Sequence, residues 1–212
     1  MILQVLRSGK NIMKNYDHLM QSGQKYVRNF VEISGDNTMG KRSDFERKPR
    51  DFYPTPYEAV EPLIDYLPEE FTFAEPCAGD GALISHLEVH GGTCMWASDI
   101  EPQHKGIPTQ DYQDVWREEL LESQFVITNP PWSRPTLHPM IEHFGQLRPT
   151  WLLFDADWMH TKQSSYYTEY LHEIVSVGRI KWFGNMTGKD NCAWYLFDMS
   201  YKPREGTIFH GR

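Results

Sequence analysis

Cysteine is scarce in this chain. Cys77, Cys94 and Cys192 are three in 212 residues, an odd number at wide spacing that excludes a disulfide framework and offers no zinc knuckle. Of the nine histidines only His86 and His90 share H-x-x-x-H spacing, and no C-x-x-C partner accompanies them, so the histidines read as surface or core residues and no metal site is expected. Long apolar runs are missing too. Nothing approaches the roughly 18 apolar residues of a membrane helix, and residues 1–20 hold scattered apolar side chains rather than a block before a cleavage site. A spanning segment and a secretory leader are therefore not expected, the glycosylation-like Asn185-Met186-Thr187 is a chance match, and the expected setting is the cytoplasm. Positive charge is also short, with a formal net charge of −8, an unpromising balance for a nucleic-acid enzyme.

That deficit is unevenly spread. Residues 1–50 hold ten Lys/Arg against five Asp/Glu, whereas residues 51–212 hold eleven against twenty-four. The tract from Gly40 to Arg50 is the most basic, and it reads either as an arm that contacts phosphates or as a solvated linker. Residues 1–50 are therefore taken as a basic extension and residues 51–212 as the main domain.

The main domain alternates short strands with helices. Thr55-Pro56-Tyr57-Glu58 has the form of a capping box with proline at the first helical position, followed by Ala59, Val60, Leu63, Ile64 and Leu67 at helical spacing and by Pro62, which should kink the helix. A strand is expected over 71–74, a helix with Leu83, Ile84 and Leu87 inward, and a second strand over 93–98. Further on come a helix over 114–121, a strand over 124–128, a helix over 138–147 and a strand over 151–154. A helix over 164–171 and strands over 174–183 and 192–197 complete the order. The alternation implies a mostly parallel sheet covered on both faces, with an antiparallel pair at one edge.

Two strand ends carry the chemistry. Glu75-Pro76-Cys77-Ala78-Gly79-Asp80-Gly81 joins a strand to a helix with glycines that let the backbone turn sharply and approach a ligand. An acidic residue at the strand's end suits a cationic amino-acid group. Asp99 ends the next strand 24 positions later, near the offset of about 20 at which a carboxylate meets ribose hydroxyls. The pair points to a nucleoside cofactor that carries an amino-acid group. The second motif, Asn129-Pro130-Pro131-Trp132, also follows an apolar strand. An exocyclic amine on a base is a poor nucleophile because its lone pair is delocalised into the ring. The carboxamide oxygen of Asn129 and the carbonyl of Pro130 can grip both N–H bonds, with the two prolines holding the backbone extended. Trp132 offers a face on which a flipped-out base stacks.

On these motifs residues 51–200 resemble the class I, Rossmann-like amino-methyltransferases, in particular the small adenine-N6 DNA methyltransferases of phages and prophages. The resemblance implies an α/β fold with a mostly parallel seven-stranded sheet, an antiparallel edge and helices on both faces. It implies S-adenosyl-L-methionine as cofactor and methyl transfer to adenine N6 in DNA inside a bacterial or phage-infected cell. RNA bases and a protein glutamine are the rival substrates, and a catalytically silent subunit is the rival to an enzyme. It also implies roles. Tyr53, Pro54, Thr55, Glu75, Ala78 and Gly79 would line the methionine end of the cofactor, with Asn129 also touching it. Asp99 would hold the ribose, Ile100 would pack on the adenine and Asp111 would take its amino group. Asn129, Pro130, Pro131 and Trp132 would act on the target. No segment is long enough for a separate target-recognition domain, so recognition is expected from loops, the basic extension or a partner subunit.

Lesser candidates remain open between two readings. Ser133, Arg134 and Arg148 could meet phosphates or be solvated loop residues. Trp182, Phe183 and Trp194 could border a base pocket or belong to the core. Asp155, Asp157 and Trp158 follow an apolar strand on the ligand-binding edge and could face the substrate. Cys77 has no basic neighbour in sequence and is assigned no nucleophilic role.

Overall fold

The structure, a computed structural model, describes residues 52–182 and 191–212; the basic extension over 1–50 and Phe183 lie outside them. Seven strands form one sheet: β1 (Phe71–Glu75), β2 (Gly92–Ala97), β3 (Phe125–Thr128), β4 (Thr150–Asp155), β5 (Leu171–Arg179), β6 (Asn191–Phe197) and β7 (Ile208–His210). Their order is β2-β1-β3-β4-β6-β5-β7. The first four pair in parallel. β6 runs antiparallel to both β4 and β5, and β7 lies parallel to β5 at the margin. The mostly parallel sheet with a reversed strand towards one side is the architecture expected. β7 went unread because it is three residues long and its Ile208 and Phe209 are exposed, so no apolar run announces it.

Alternation along the central strands builds a core on each face. Trp151 and Leu153 of β4, with Cys192 and Trp194 of β6, pack on one side against Ala59, Val60 and Leu63 of α1 (Tyr57–Ile64) and Leu83 and Leu87 of α2 (Ala82–Glu88). Leu152 and Phe154, with Ala193, Tyr195 and Phe197, turn to the other side and meet Leu137 and Ile141 of α3 (Arg134–Leu147). Burying a side chain of this kind is worth about 1.5–3 kcal/mol, so a strand buried on both faces anchors the sheet more firmly than local propensity could. Between α2 and β2 the chain turns at Gly91, at φ +88°. A Cβ there would stand 2.0 Å from the Glu69 carbonyl oxygen, so only glycine fits.

Three local expectations are corrected. Thr55 does not cap α1: Pro56 occupies the cap position with no side-chain bond, because the Thr55 hydroxyl is engaged elsewhere. The helix then stops at Ile64, two residues after Pro62, and Leu67 reaches the core from a turn. The helix expected over 114–121 is a 3-10 turn at Tyr112–Asp114 followed by further turns, although Val115 and Leu120 are buried as a helix face would be. The helix expected over 164–171 shortens to α4 (Ser164–Tyr167) and a 3-10 turn. Leu171 begins β5 instead, since its partner Phe197 extends the ladder to that point. Among the described residues no helix is long and apolar enough to cross a membrane.

Candidate active site

The parallel strands β2, β1, β3 and β4 place their carboxyl ends on one margin of the sheet, where open α/β sheets hold ligands. Glu75 is the last residue of β1, Asp99 lies just past β2, Asn129 follows β3 and Asp155 ends β4. The sheet register carries on into the loops. Ser98 donates its N–H to the Glu75 carbonyl at 3.0 Å, and Ala78 donates to the Ser98 carbonyl at 2.9 Å. Residues far apart in sequence thereby share one wall.

A cavity of about 490 Å³ opens there, inside the range of roughly 300–1,000 Å³ usual for small-molecule sites. Its lining includes Tyr53, Pro54, Thr55, Glu75, Ala78, Gly79, Asp99, Ile100, Asp111, Asn129 and Pro131. Every residue assigned to the cofactor from sequence is among them. Pro130 is buried and, with Trp132, is not part of the lining.

Glu75 is the deepest charged group. Its side chain is 1% exposed, one carboxylate oxygen accepts from the Thr128 hydroxyl at 3.0 Å, and Oε2 has no hydrogen-bond partner. Burial pushes its carboxyl well above the ordinary carboxylate range. The Thr128 hydroxyl opposes that rise, and the charge of Asp99 adds to it. An unpaired buried carboxylate oxygen costs stability unless a ligand satisfies it. A cation in the cavity would both pair it and favour its ionised form.

The loop after Glu75 is shaped by glycine. Gly79 has φ +52°, and a Cβ there would sit 2.7 Å from the Phe52 ring. Its N–H donates to Asp99 Oδ2 at 2.8 Å, while Asp99 Oδ1 accepts from the Glu101 N–H at 2.7 Å. The chain then returns: Asp99 bridges to Thr109, with Gln110 donating its N–H to the Asp99 carbonyl at 2.9 Å. This return brings Asp111 to the same wall as Asp99. Asp111 caps the following 3-10 turn through Gln113 N–H at 3.0 Å. Cys77 also lines the cavity, but burial pushes its thiol up and away from the thiolate that a nucleophile needs.

Asn129 is held from two directions. Its Nδ2 donates to the Thr55 hydroxyl at 3.1 Å, and its Oδ1 accepts from the Trp132 indole N–H at 3.3 Å. The same indole N–H also donates to the Leu153 carbonyl at 3.1 Å. The Trp132 ring packs against both cores and meets Trp182 edge-on at 5.7 Å.

Several lining residues carried no individual role in the sequence reading. Phe52, Gln103, Tyr112 and Met140 border the cavity. Tyr112 adjoins Asp111 and was within reach of the motif, whereas Met140 arrives from the far end of the first two turns of α3, which no local pattern reveals. Four lesser candidates are now placed. Arg148 is structural, donating through Nε to the carbonyls of Leu120 and Ser123 at 3.0 Å each and through Nη1 to that of Leu147 at 3.0 Å. Trp194 is buried, its N–H on the Ala59 carbonyl at 2.7 Å. Asp155 and Trp158 are buried, Trp158 donating to His138 Nε2 at 2.9 Å.

Among solved structures the chain is similar to a candidate RNA methyltransferase from Pyrococcus horikoshii, at 14% identity and a TM-score of 0.53 over 74% of this chain and 93% of that one. The fold is that of the Rossmann-like methyltransferases. That fold accounts for the sheet order. The chain is also similar to the methyltransferase subunit of a type I restriction-modification system from Streptococcus thermophilus. That likeness is at 11% identity and a TM-score of 0.47, over 76% of this chain and 46% of that one. No protein-family profile and no curated protein matches the sequence.

Proposed function

We propose that this chain transfers a methyl group from S-adenosylmethionine to a planar amino nitrogen, and that the target is the N6 amine of adenine in DNA. The observation that carries the proposal is the convergence of Glu75, Asp99, Asp111 and Asn129, from four strand ends and loops, on one cavity within a methyltransferase fold. The lining groups fit the cofactor part by part. The unpaired Glu75 oxygen suits its ammonium, Asp99 suits the ribose diol, Asp111 suits the adenine amine, and the exposed Ile100 suits the ring face.

When bound, the sulfonium supplies an activated methyl group. The residues of the chain then position and polarise the target. Asn129 Oδ1 and the Pro130 carbonyl accept the two amine hydrogens, which draws the nitrogen lone pair out of conjugation. Glu75, Asp99 and Asp111 would hold the donor, which would leave as a thioether once its methyl group had passed to the nitrogen. The amine proton leaves to water, so no general base is required. Catalysis of this kind rests on positioning and preorganised hydrogen bonds.

The basic extension is proposed to add phosphate contacts, since the rest of the chain is acidic. That same acidity supports a second reading, a protein glutamine as the planar nitrogen, and the description of the Pyrococcus protein keeps an RNA base as a third. The test is incubation with labelled cofactor and DNA, RNA or protein, with the product identified by mass spectrometry. N6-methyladenine in DNA is expected; label only in RNA or protein would overturn the choice of substrate, and label in none would overturn the reaction.

A further inference from the structure

We infer that Thr55 and Trp132 are positioning residues that hold the Asn129 carboxamide from both sides, with the Trp132 N–H deciding which of its ends meets the target. The inference rests on the amine-methylation reading above. Asn129 presents an oxygen at one end and an NH2 group at the other, and these two groups are chemically opposite towards an amine. An oxygen accepts the amine's N–H, whereas an NH2 group turned the same way sets donor against donor. A free asparagine side chain samples both orientations.

Here Trp132 selects one, and the Thr55 hydroxyl, able to donate or accept, anchors the other end. The indole N–H of Trp132 can only donate, so at 3.3 Å it must face Oδ1. The Thr55 hydroxyl accepts from Nδ2 at 3.1 Å on the other side. Reversing the amide would place its NH2 against the indole N–H and remove the acceptor that Trp132 meets there. Trp132 itself is fixed by the Leu153 carbonyl at 3.1 Å and by its packing against both cores. Thr55 is equally constrained, being 6% exposed and standing one residue before the cap of α1. Oδ1 keeps a second lone pair for the target after accepting from Trp132. The Trp132 N–H gives the residue a role that is independent of its ring face. Thr55 also ties the segment Tyr53-Pro54-Thr55, which lines the cavity, to the loop that acts on the target.

The test uses the full chain with Thr55→Val, Thr55→Ser and Trp132→Phe, each alone and combined with Asn129→Ala. Three quantities are read: the affinity for S-adenosylhomocysteine, the single-turnover transfer rate to an adenine-containing duplex, and the Asn129 side-chain amide signals in 1H–15N spectra, assigned by their loss in Asn129→Ala. Thr55→Val and Trp132→Phe should each slow transfer at saturating cofactor about tenfold, the scale of one missing hydrogen bond, with the cofactor affinity of Trp132→Phe held within about twofold. Thr55→Ser should restore the rate. Neither change should add to the loss in the Asn129→Ala background, because groups that act through one another are non-additive. Thr55→Val and Trp132→Phe should both shift the amide signals.

The inference is overturned if Thr55→Val weakens cofactor binding while the rate at saturating cofactor is unchanged. It is also overturned if Trp132→Phe transfers at the parent rate while Trp132→Ala raises the KM for the duplex, the mark of a stacking platform. If the parent methylates no duplex, the adenine assignment fails separately. The amide signals then decide, and their staying in place in both variants overturns the clamp.

Discussion

The backbone N–H of Gly79 donates to Asp99 Oδ2 at 2.8 Å across twenty residues of sequence. Asp99 therefore closes the glycine loop as well as facing the cavity, and its other oxygen holds the Glu101 N–H. Asp99→Ala should weaken cofactor binding by about 1.5–3 kcal/mol, the scale of a charged hydrogen bond. Asp99→Asn, which keeps one acceptor, should lose less. Calorimetric titration with S-adenosylhomocysteine measures both, and unchanged affinity in a folded Asp99→Ala protein would remove Asp99 from the site.

Glu75 should oppose stability in order to bind. Its pKa in the fold is raised above the ordinary 4.5 by burial, so the folded state holds that proton more tightly than the unfolded chain does. Its contribution to stability is present at low pH and is lost as pH rises through the raised range. Glu75→Gln should raise Tm by about 2–4 °C at weakly alkaline pH and change it little at acidic pH. The same variant should bind cofactor more weakly, while in the parent cofactor affinity should climb with pH as Glu75 ionises beside the ligand's cation. Scanning calorimetry and binding titrations at both pH values check the two signs together.

Asn129→Ala removes the acceptor offered to the target without touching the glycine loop. Single-turnover transfer should fall by roughly two orders of magnitude or more, the size associated with a preorganised hydrogen bond at the transition state, with cofactor affinity retained. Asn129→Asp should be milder. It keeps an oxygen for Trp132, and the Thr55 hydroxyl can donate to the other oxygen in place of accepting. Transfer at the parent rate by Asn129→Ala would show that the N-P-P-W segment is not the catalytic loop.

Arg148 separates a structural cation from a nucleic-acid contact. Its guanidinium joins the turns at 120–123 to the start of β4, a fork that lysine cannot reproduce. Arg148→Lys should cost about 1–3 kcal/mol of stability in denaturant titrations and leave the salt dependence of DNA binding as it was. A flattened salt slope with unchanged stability would return Arg148 to the phosphate-binding residues.

The basic extension should govern that slope instead. Removing residues 1–48 should weaken DNA binding and flatten its dependence on salt, since every phosphate that the shortened chain no longer neutralises keeps about one counterion. Cofactor affinity should stay in place. An unchanged slope would mark the segment as a linker.

The strand-end chemistry is legible from the order of residues alone. Glu75, Gly79, Asp99 and Asn129 stand out because each closes or follows a short apolar strand, and β-periodicity together with glycine and proline punctuation is a local property. The two-sided core and an antiparallel pair towards one edge follow from the same alternation, whereas the strand order is decided by tertiary pairing. What individual polar groups do is settled later, by packing. Thr55-Pro56-Tyr57-Glu58 satisfies the local rule for a cap, yet the Thr55 hydroxyl bonds Asn129, 74 residues away. Arg148 resembles a solvated cation until the carbonyls at 120 and 123 fold beneath it. Trp132 reads as an aromatic face, and only the packed chain brings the Leu153 carbonyl and the Asn129 amide to its N–H. A hydrogen bond goes to whichever partner the packed chain brings within about 3 Å, and for side chains on a sheet margin that partner comes from another strand.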